Sequence, residues 1–143
     1  MRTVDEALQR FDLIAGAGAE SDNTACVMTL LAWVAGEAWT DHPPCAHRTL
    51  ADIVINANDS DTATPKSRAS LVKAGQEGVL DTWWIPGVVI AWAMSRAKDA
   101  KPMTAHQYAM YVLKRIAKWK AGLRSEISAR QYQLDRSNGD VCE

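Results

Sequence analysis

Apolar residues recur at intervals of three and four positions along most of this chain, and no other feature constrains its fold as strongly. In the first segment these residues are Val4, Ala7, Leu8, Phe11 and Ile14. In the second segment they are Cys26, Val27, Leu30, Leu31 and Val34. Such spacing places the apolar side chains on one face of an α-helix. Both segments are therefore predicted to be helices, the first ending at Gly16 and the second at Gly36.

Residues that favour the start of a helix stand before each apolar segment. They are Thr3 with Glu6, Asp22 or Asn23, Thr49 with Asp52, Thr64 before Pro65, Pro86, and Thr104 with Gln107. Such residues either satisfy the free N–H groups of the first turn or fit its backbone. No stretch alternates apolar and polar residues between turns, so no sheet is predicted. We expect an all-α fold, a compact bundle of about six helices with a Pro-rich Cys/His loop after the second.

The length and charge of the chain fit a single domain. Its 143 residues, 48% of them hydrophobic, are enough to bury a core without cross-links. Residues 1–136 are predicted to form one helical domain and residues 137–143 a flexible C-terminal tail. The net charge of −1 conceals an acidic half, residues 1–62, and a basic half, residues 63–143. We interpret this asymmetry as internal complementarity within the bundle.

Three features of the sequence bear on the cellular location of the protein. The first ten residues lack the apolar segment of a secretory signal. The longest apolar runs, such as "IPGVVIAWAM", are too short to span a bilayer. The three cysteines are odd in number and sparse, which argues against a secreted disulfide framework. We expect a cytoplasmic protein with no membrane partner.

The stretch "EAWTDHPPCAHRTL", residues 37–50, combines residue types that bind metals. With one cysteine from the preceding helix it supplies two thiols and two imidazoles, namely Cys26, His42, Cys45 and His47. Two cysteines with two histidines are a common structural zinc set. We predict a structural zinc site that clamps the loop to the bundle. Two alternatives stay open: a buried, unligated Cys26 with solvated histidines, and a Cys26–Cys45 disulfide.

Residues 26–59 resemble a motif in short uncharacterised helical proteins of actinobacteria and their phages. The shared residues are Gly36-Glu37, Trp39, Asp41-His42-Pro43 and Cys45, together with the opening Cys-Val-Met. The chain departs from the motif at His47, where a second cysteine is usual, and at Arg48, where a proline is usual. Cysteine and histidine both bind zinc, so the first exchange preserves a ligand. The resemblance covers about a quarter of the chain and implies a phage or prophage source, but no activity.

Glu37, Asp41 and His42 place two carboxylates beside an imidazole, which is a combination suited to acid–base chemistry. The same residues also suit a polar turn before two prolines. This group contains no nucleophile with an adjacent base. A small hydrolase-like enzyme is therefore kept only as a second alternative, and a pocket where the three side chains converge would favour it.

Two features are candidates for an interface. Trp83 and Trp84 are consecutive and cannot face the same way, so at least one of them is expected to be half exposed. An exposed tryptophan is a common binding anchor, although tryptophans also fill the ends of small bundles. The cations Lys114, Arg115 and Lys118 belong to the basic stretch 114–124 and could hold phosphates. With Lys120 and Arg124 they are expected to spread over much of the helix surface. A solvated face opposite the acidic half explains these cations better, and we favour that interpretation.

Together these observations predict a small non-enzymatic accessory or regulatory protein that binds a host or phage macromolecule as an inhibitor or modulator. A protein partner is favoured, and the oligomeric state is left open. The first alternative is a nucleic-acid-binding module that uses the basic stretch, and its binding would depend steeply on salt.

Overall fold

A computed structural model of the chain describes residues 2–102 and 104–137, with side chains described as far as Ile127 and at Arg130. Its six α-helices are α1 (Val4–Arg10), α2 (Val27–Ala35), α3 (Arg48–Asn58), α4 (Pro65–Gly78), α5 (Gly87–Asp99) and α6 (Ala105–Ser137). The predicted helix-rich fold is confirmed. The tail predicted for residues 137–143 lies outside the described residues except for Ser137, which ends α6.

A small sheet corrects the all-α prediction. It consists of β1 (Asp12–Leu13), β2 (Gly18–Ala19) and β3 (Thr24–Ala25), with β3 in the centre. β1 is parallel to β3, and β2 is antiparallel to it. Gly18 has φ +68°, and a Cβ there would lie 2.5 Å from the carbonyl oxygen of Thr24, so this pairing requires glycine.

The sheet also explains why α1 is shorter than predicted. Phe11 adopts an extended backbone with φ −113° and ψ 141°, which ends the helix before the expected Ile14. The N–H of Asp12 then donates to the carbonyl oxygen of Asn23 at 2.8 Å, and that of Ile14 donates to Ala25 at 3.0 Å. The predicted caps of the second helix, Asp22 and Asn23, are also wrong. Glu20–Asp22 forms a short 3-10 helix before β3, and Cys26 is the residue that caps α2.

Helix α2 lies at the centre of the core. All its residues from Val27 to Val34 are buried, and α1, α3 and α4 pack around it. Helix α6 packs against α3, α4 and α5, and buried side chains from all six helices form one apolar cluster. Each fully buried leucine or valine contributes about 1.5–3 kcal/mol. Among the described residues, no helix is both long enough and apolar enough to cross a membrane.

Helices α4 and α6 approach each other closely at Gly78. A Cβ at this position would lie 2.5 Å from the carbonyl oxygen of Leu113 and 2.8 Å from its Cα. Backbone atoms cannot move aside as the end of a flexible side chain can. A side chain at position 78 would therefore force the two helices apart.

We expect Gly78→Ala to lower the free energy of unfolding by about 2 kcal/mol, because overpacking typically costs about 1–3 kcal/mol. The matched control is Gly122→Ala in α6, where a Cβ would meet nothing within 4 Å. There the better helix propensity of alanine should stabilise the protein by up to about 1 kcal/mol. Urea unfolding followed by circular dichroism measures both, and equal stability of the two variants would contradict this account.

Candidate functional site

Two of the predicted zinc ligands cap helices. Cys26 is buried at the N-terminus of α2, where its sulfur accepts a hydrogen bond from the N–H of Thr29 at 3.4 Å. His47 precedes α3, and its Nδ1 accepts from the N–H of Thr49 at 3.2 Å. A capping side chain satisfies one of the free N–H groups of the first turn.

The third predicted ligand, His42, lies between two carboxylates at the surface. Its Nδ1 is 2.9 Å from Asp41 Oδ1, and its Nε2 is 2.8 Å from Oδ1 of Asp52 in α3. Hydrogen bonds with Asp52 and Asp41 raise the pKa of His42 above its ordinary value of 6.5. This arrangement ties the Pro-rich loop to α3 by charge.

The predicted zinc clamp gains no support from this geometry. Within residues 2–102 and 104–137, no three His, Cys, Asp or Glu side chains are grouped so that they could hold a metal ion. Cys26 and Cys45 are both free thiols, so the alternative disulfide between them is not formed. The zinc site stays a prediction.

The fourth predicted ligand, Cys45, lines a cavity of about 330 Å³, which we name the Cys45 cavity. It lies among α2, the Pro-rich loop, α4, the turn after α4, and α6. Val34 and Leu80 contribute apolar surface, and the polar lining includes Glu37, Cys45, Glu77, Asp81, Lys120 and Arg124. The cavity thus combines a thiol with carboxylates and cations.

The lining of the cavity also shows whether Glu37, Asp41 and His42 converge, as the hydrolase alternative requires. Glu37 lines it, whereas His42 lies at the surface and pairs there with Asp41 and Asp52. The three side chains that the hydrolase alternative requires to converge therefore lie at two different sites, the cavity and the surface. Glu37 instead shares the cavity with Cys45 and Lys120.

Lys120 is 2% exposed, which corrects its prediction as a surface cation. Its Nζ donates a hydrogen bond to the carbonyl oxygen of Leu80 at 3.0 Å. Burial lowers the pKa of Lys120, while the nearby carboxylate of Asp81 opposes this shift. Sequence spacing did contain the signal, because Lys120 follows the buried Ile116 by four positions and therefore shares its helix face.

Glu37 lies beside the Cys45 thiol. Burial raises the pKa of Cys45, the backbone N–H of Asp81 lowers it, and the Glu37 carboxylate raises it again. The Oε2 atom of Glu37 is buried and accepts no hydrogen bond from the described residues. A buried acceptor without a donor is costly, so this oxygen is an unusual feature of the cavity.

Thr82 fixes the position of Cys45. Its side chain is fully buried, and its hydroxyl donates to the carbonyl oxygen of Val79 at 2.6 Å while accepting from the N–H of His47 at 2.8 Å. The N–H groups of Thr82 and Trp83 both donate to the carbonyl oxygen of Cys45, at 2.9 and 3.1 Å. These bonds hold the Pro-rich loop against the turn after α4.

Large apolar side chains are exposed at the start of α5. The exposed fractions are 65% for Trp83, 37% for Trp84, 75% for Val88 and 40% for Trp92, and we name these four residues the Trp surface. The prediction that at least one of the paired tryptophans is half exposed is confirmed by Trp83. Trp84 also packs against Trp119, with ring centroids 5.8 Å apart and the rings tilted by 33°.

The predicted cations of the basic stretch divide into two kinds. Lys114 and Lys118 are exposed, whereas Arg115 is half-buried and donates from Nη2 to the hydroxyl of Tyr111 at 2.8 Å. Together the four residues line a shallow cleft on α6. A cationic cleft with an aromatic side is a feature that phosphate-bearing ligands can use.

Comparison with models of known protein families gives no match, and comparisons with curated proteins and with solved structures give none either. The resemblance to actinobacterial and phage proteins therefore stays a prediction.

Replacing Thr82 tests whether its hydroxyl holds the loop. We expect Thr82→Val to lower the free energy of unfolding by about 2 kcal/mol, since it leaves the His47 N–H and the Val79 carbonyl without a partner. Thr82→Ser keeps the hydroxyl and should lower the free energy of unfolding by less than Thr82→Val does. Thr62→Val, at an exposed turn, should change stability by less than about 0.5 kcal/mol. Equal urea midpoints for Thr82→Val and Thr62→Val would contradict this role.

The His42 ion pairs should make stability depend on pH. Because the folded-state pKa is raised, their contribution is present below the unfolded value of 6.5 and is lost as pH rises through the higher folded-state pKa. His42→Gln should therefore be less stable than the natural chain at pH 6 and similar to it at pH 9. The difference should stay under about 1 kcal/mol, because the groups are half exposed. A difference that does not change with pH would count against the ion pairs.

Proposed function

We propose that this chain is a small accessory protein that binds another protein through the Trp surface. The observation that carries the proposal is the exposure of Trp83, Val88 and Trp92 within ten residues of chain. Single exposed apolar residues are normal on any protein, but a concentration of large ones marks an interaction site. Tryptophan is also the residue type most enriched among binding hot spots.

The environment of α5 supports this assignment. The helix turns Ile90, Ala93 and Ala97 inward and packs against α6. Val88 and Trp92 are four positions apart and therefore lie one above the other on the opposite face. This face does not pack against the core. Exposing its apolar surface to water is unfavourable, and a partner that buried the surface would remove that free-energy cost.

The charges beside the Trp surface indicate the chemistry of the partner. Arg96 follows Trp92 by one helical turn, is exposed, and extends the line of Val88 and Trp92. Lys98 is exposed at the end of the same helix. We therefore expect a protein partner with an apolar patch bordered by carboxylates, since complementary charges at the rim steer association. Inhibition or modulation of a host or phage protein would fit such docking.

The cleft of Tyr111, Lys114, Arg115 and Lys118 favours a second candidate, a nucleic-acid-binding module. Its binding would weaken steeply with salt, because neutralised phosphates release counterions. Binding through the Trp surface would depend on salt only weakly by comparison.

The test compares two surface variants of the full chain. Proteins captured from a bacterial host lysate by the natural chain but not by Trp83→Ser/Trp92→Ser are purified, and their affinity is measured by titration calorimetry at two salt concentrations. Each hot-spot tryptophan should contribute at least about 2 kcal/mol, or about thirtyfold in Kd. Ile127→Ser, which removes another exposed apolar side chain, should leave Kd unchanged.

Three outcomes would overturn the proposal. The first is a Kd for the purified partner that Trp83→Ser/Trp92→Ser does not weaken. The second is loss of binding in Lys114→Glu/Arg115→Glu/Lys118→Glu with a steep salt dependence, which would favour nucleic acid. The third is self-association in sedimentation that the tryptophan variant abolishes, which would make the Trp surface a contact between copies of this chain.

A further inference from the structure

The Cys45 cavity has features that protein binding at the Trp surface does not explain. It is lined by Lys120, a residue that is 2% exposed, and by Glu37, whose buried Oε2 accepts no hydrogen bond from the described residues. Burying charged groups is costly, and apolar side chains of the same size would be at least as stable. Such an arrangement is typical of sites where a ligand supplies the missing partners.

Two polar groups of the cavity, Glu37 and Lys120, are together complementary to one chemical group. Glu37 Oε2 has no donor among the described residues, so it fits an N–H of a ligand. The ammonium of Lys120 has three donors, of which one is given to the carbonyl oxygen of Leu80. It can therefore also donate to a ligand oxygen. A primary carboxamide presents an N–H donor and a carbonyl acceptor on either side of one carbon atom.

The third group of the cavity is a nucleophile. Cys45 lines the same space, and the Glu37 carboxylate lies beside its thiol. The carbonyl oxygen of Cys45 is held by the N–H groups of Thr82 and Trp83, so the residue is positioned by the backbone of a different segment. Nucleophile, base and cation thus come from the Pro-rich loop and α6, and they face one cavity.

We propose that the Cys45 cavity binds small carboxamides and that Cys45 is the nucleophile that cleaves their C–N bond. The apolar surface of Val34 and Leu80 would receive the substituent of the amide. The volume of about 330 Å³ lies at the lower end of the range for ligand pockets and has room for the substituent of a small amide.

The reaction divides into two balanced steps. In the first, Cys45 Sγ bonds to the carbonyl carbon, its proton passes to Glu37, and the resulting oxyanion accepts a hydrogen bond from Lys120. The C–N bond then breaks as Glu37 returns the proton to the nitrogen. Ammonia departs, and the acyl group remains bound to Cys45 as a thioester. In the second, water attacks the thioester and gives a proton to Glu37, which passes it to the departing sulfur. The net change is carboxamide plus water to carboxylic acid plus ammonia.

The experiment measures ammonia release from unbranched carboxamides, acetamide to hexanamide, by the full chain carrying Cys142→Ser. The reaction is expected to saturate with substrate, and intact-mass spectrometry should detect the acyl group on Cys45. Cys45→Ser and Glu37→Gln should each lower kcat at least about a hundredfold, because they remove the nucleophile and the base. Lys120→Met should lower kcat and also raise KM. Glu20→Gln, at an exposed carboxylate between β2 and β3, is the matched control and should not change either constant.

A second measurement keeps the proposal testable if a variant fails to fold. In the same Cys142→Ser chain, N-ethylmaleimide should modify Cys45 faster than the buried Cys26, and the carboxamides should slow only the reaction of Cys45. Ammonia release that persists in Cys45→Ser would overturn the proposal. It would also be overturned by the absence of release together with unchanged labelling of Cys45 in saturating amide. Neither result depends on the Trp surface, so the two proposals can fail separately.

Discussion

The hydrogen bonds of the buried Thr82 hydroxyl hold the Pro-rich loop in place, and the geometry of the Cys45 cavity depends on them. The hydroxyl joins the end of α4 to the Pro-rich loop, because it bonds to both the carbonyl oxygen of Val79 and the N–H of His47. The backbone of the same turn holds the carbonyl oxygen of Cys45. Each of these groups would cost about 1–3 kcal/mol if it were buried without a partner. Hydrogen bonds between protein groups thus position the loop in which the sequence predicts a metal site.

The helices could be predicted from sequence because their signals are local. The apolar stripe from Val27 to Val34 is buried along its whole length, and the caps at Thr3, Thr64 and Thr104 begin helices as expected. The sheet could not be predicted, because its strands have two residues each and show no alternation. Its parallel pairing of Asp12 with Thr24 depends on how the chain turns back, which no local pattern records.

The site residues were harder to predict, because a residue type does not determine its role. Cysteine and histidine bind zinc, but they also accept hydrogen bonds at helix starts, and Cys26 and His47 do so here. Lys120 was assigned to the surface because of its charge, although its spacing placed it on the buried face of α6. Its long aliphatic stem allows the ammonium to reach the carbonyl oxygen of Leu80 while the stem packs in the core. Only the tertiary structure brings Lys120 to the same cavity as Glu37 and Cys45.

The Cys45 cavity and the Trp surface share the turn after α4, so hydrogen bonds connect the two proposed sites. Asp81 lines the cavity, and its carbonyl and carboxylate oxygens both accept from Nε1 of Trp84, at 3.0 and 3.1 Å. Trp84 in turn packs against Trp119, the residue before Lys120. A ligand that moved Asp81 would therefore also move a tryptophan of the Trp surface. If such a ligand changes the affinity for a partner, thermodynamic linkage requires the partner to change the affinity of the cavity by the same factor. Binding at the surface would in that case regulate the chemistry of the cavity without any contact between partner and substrate.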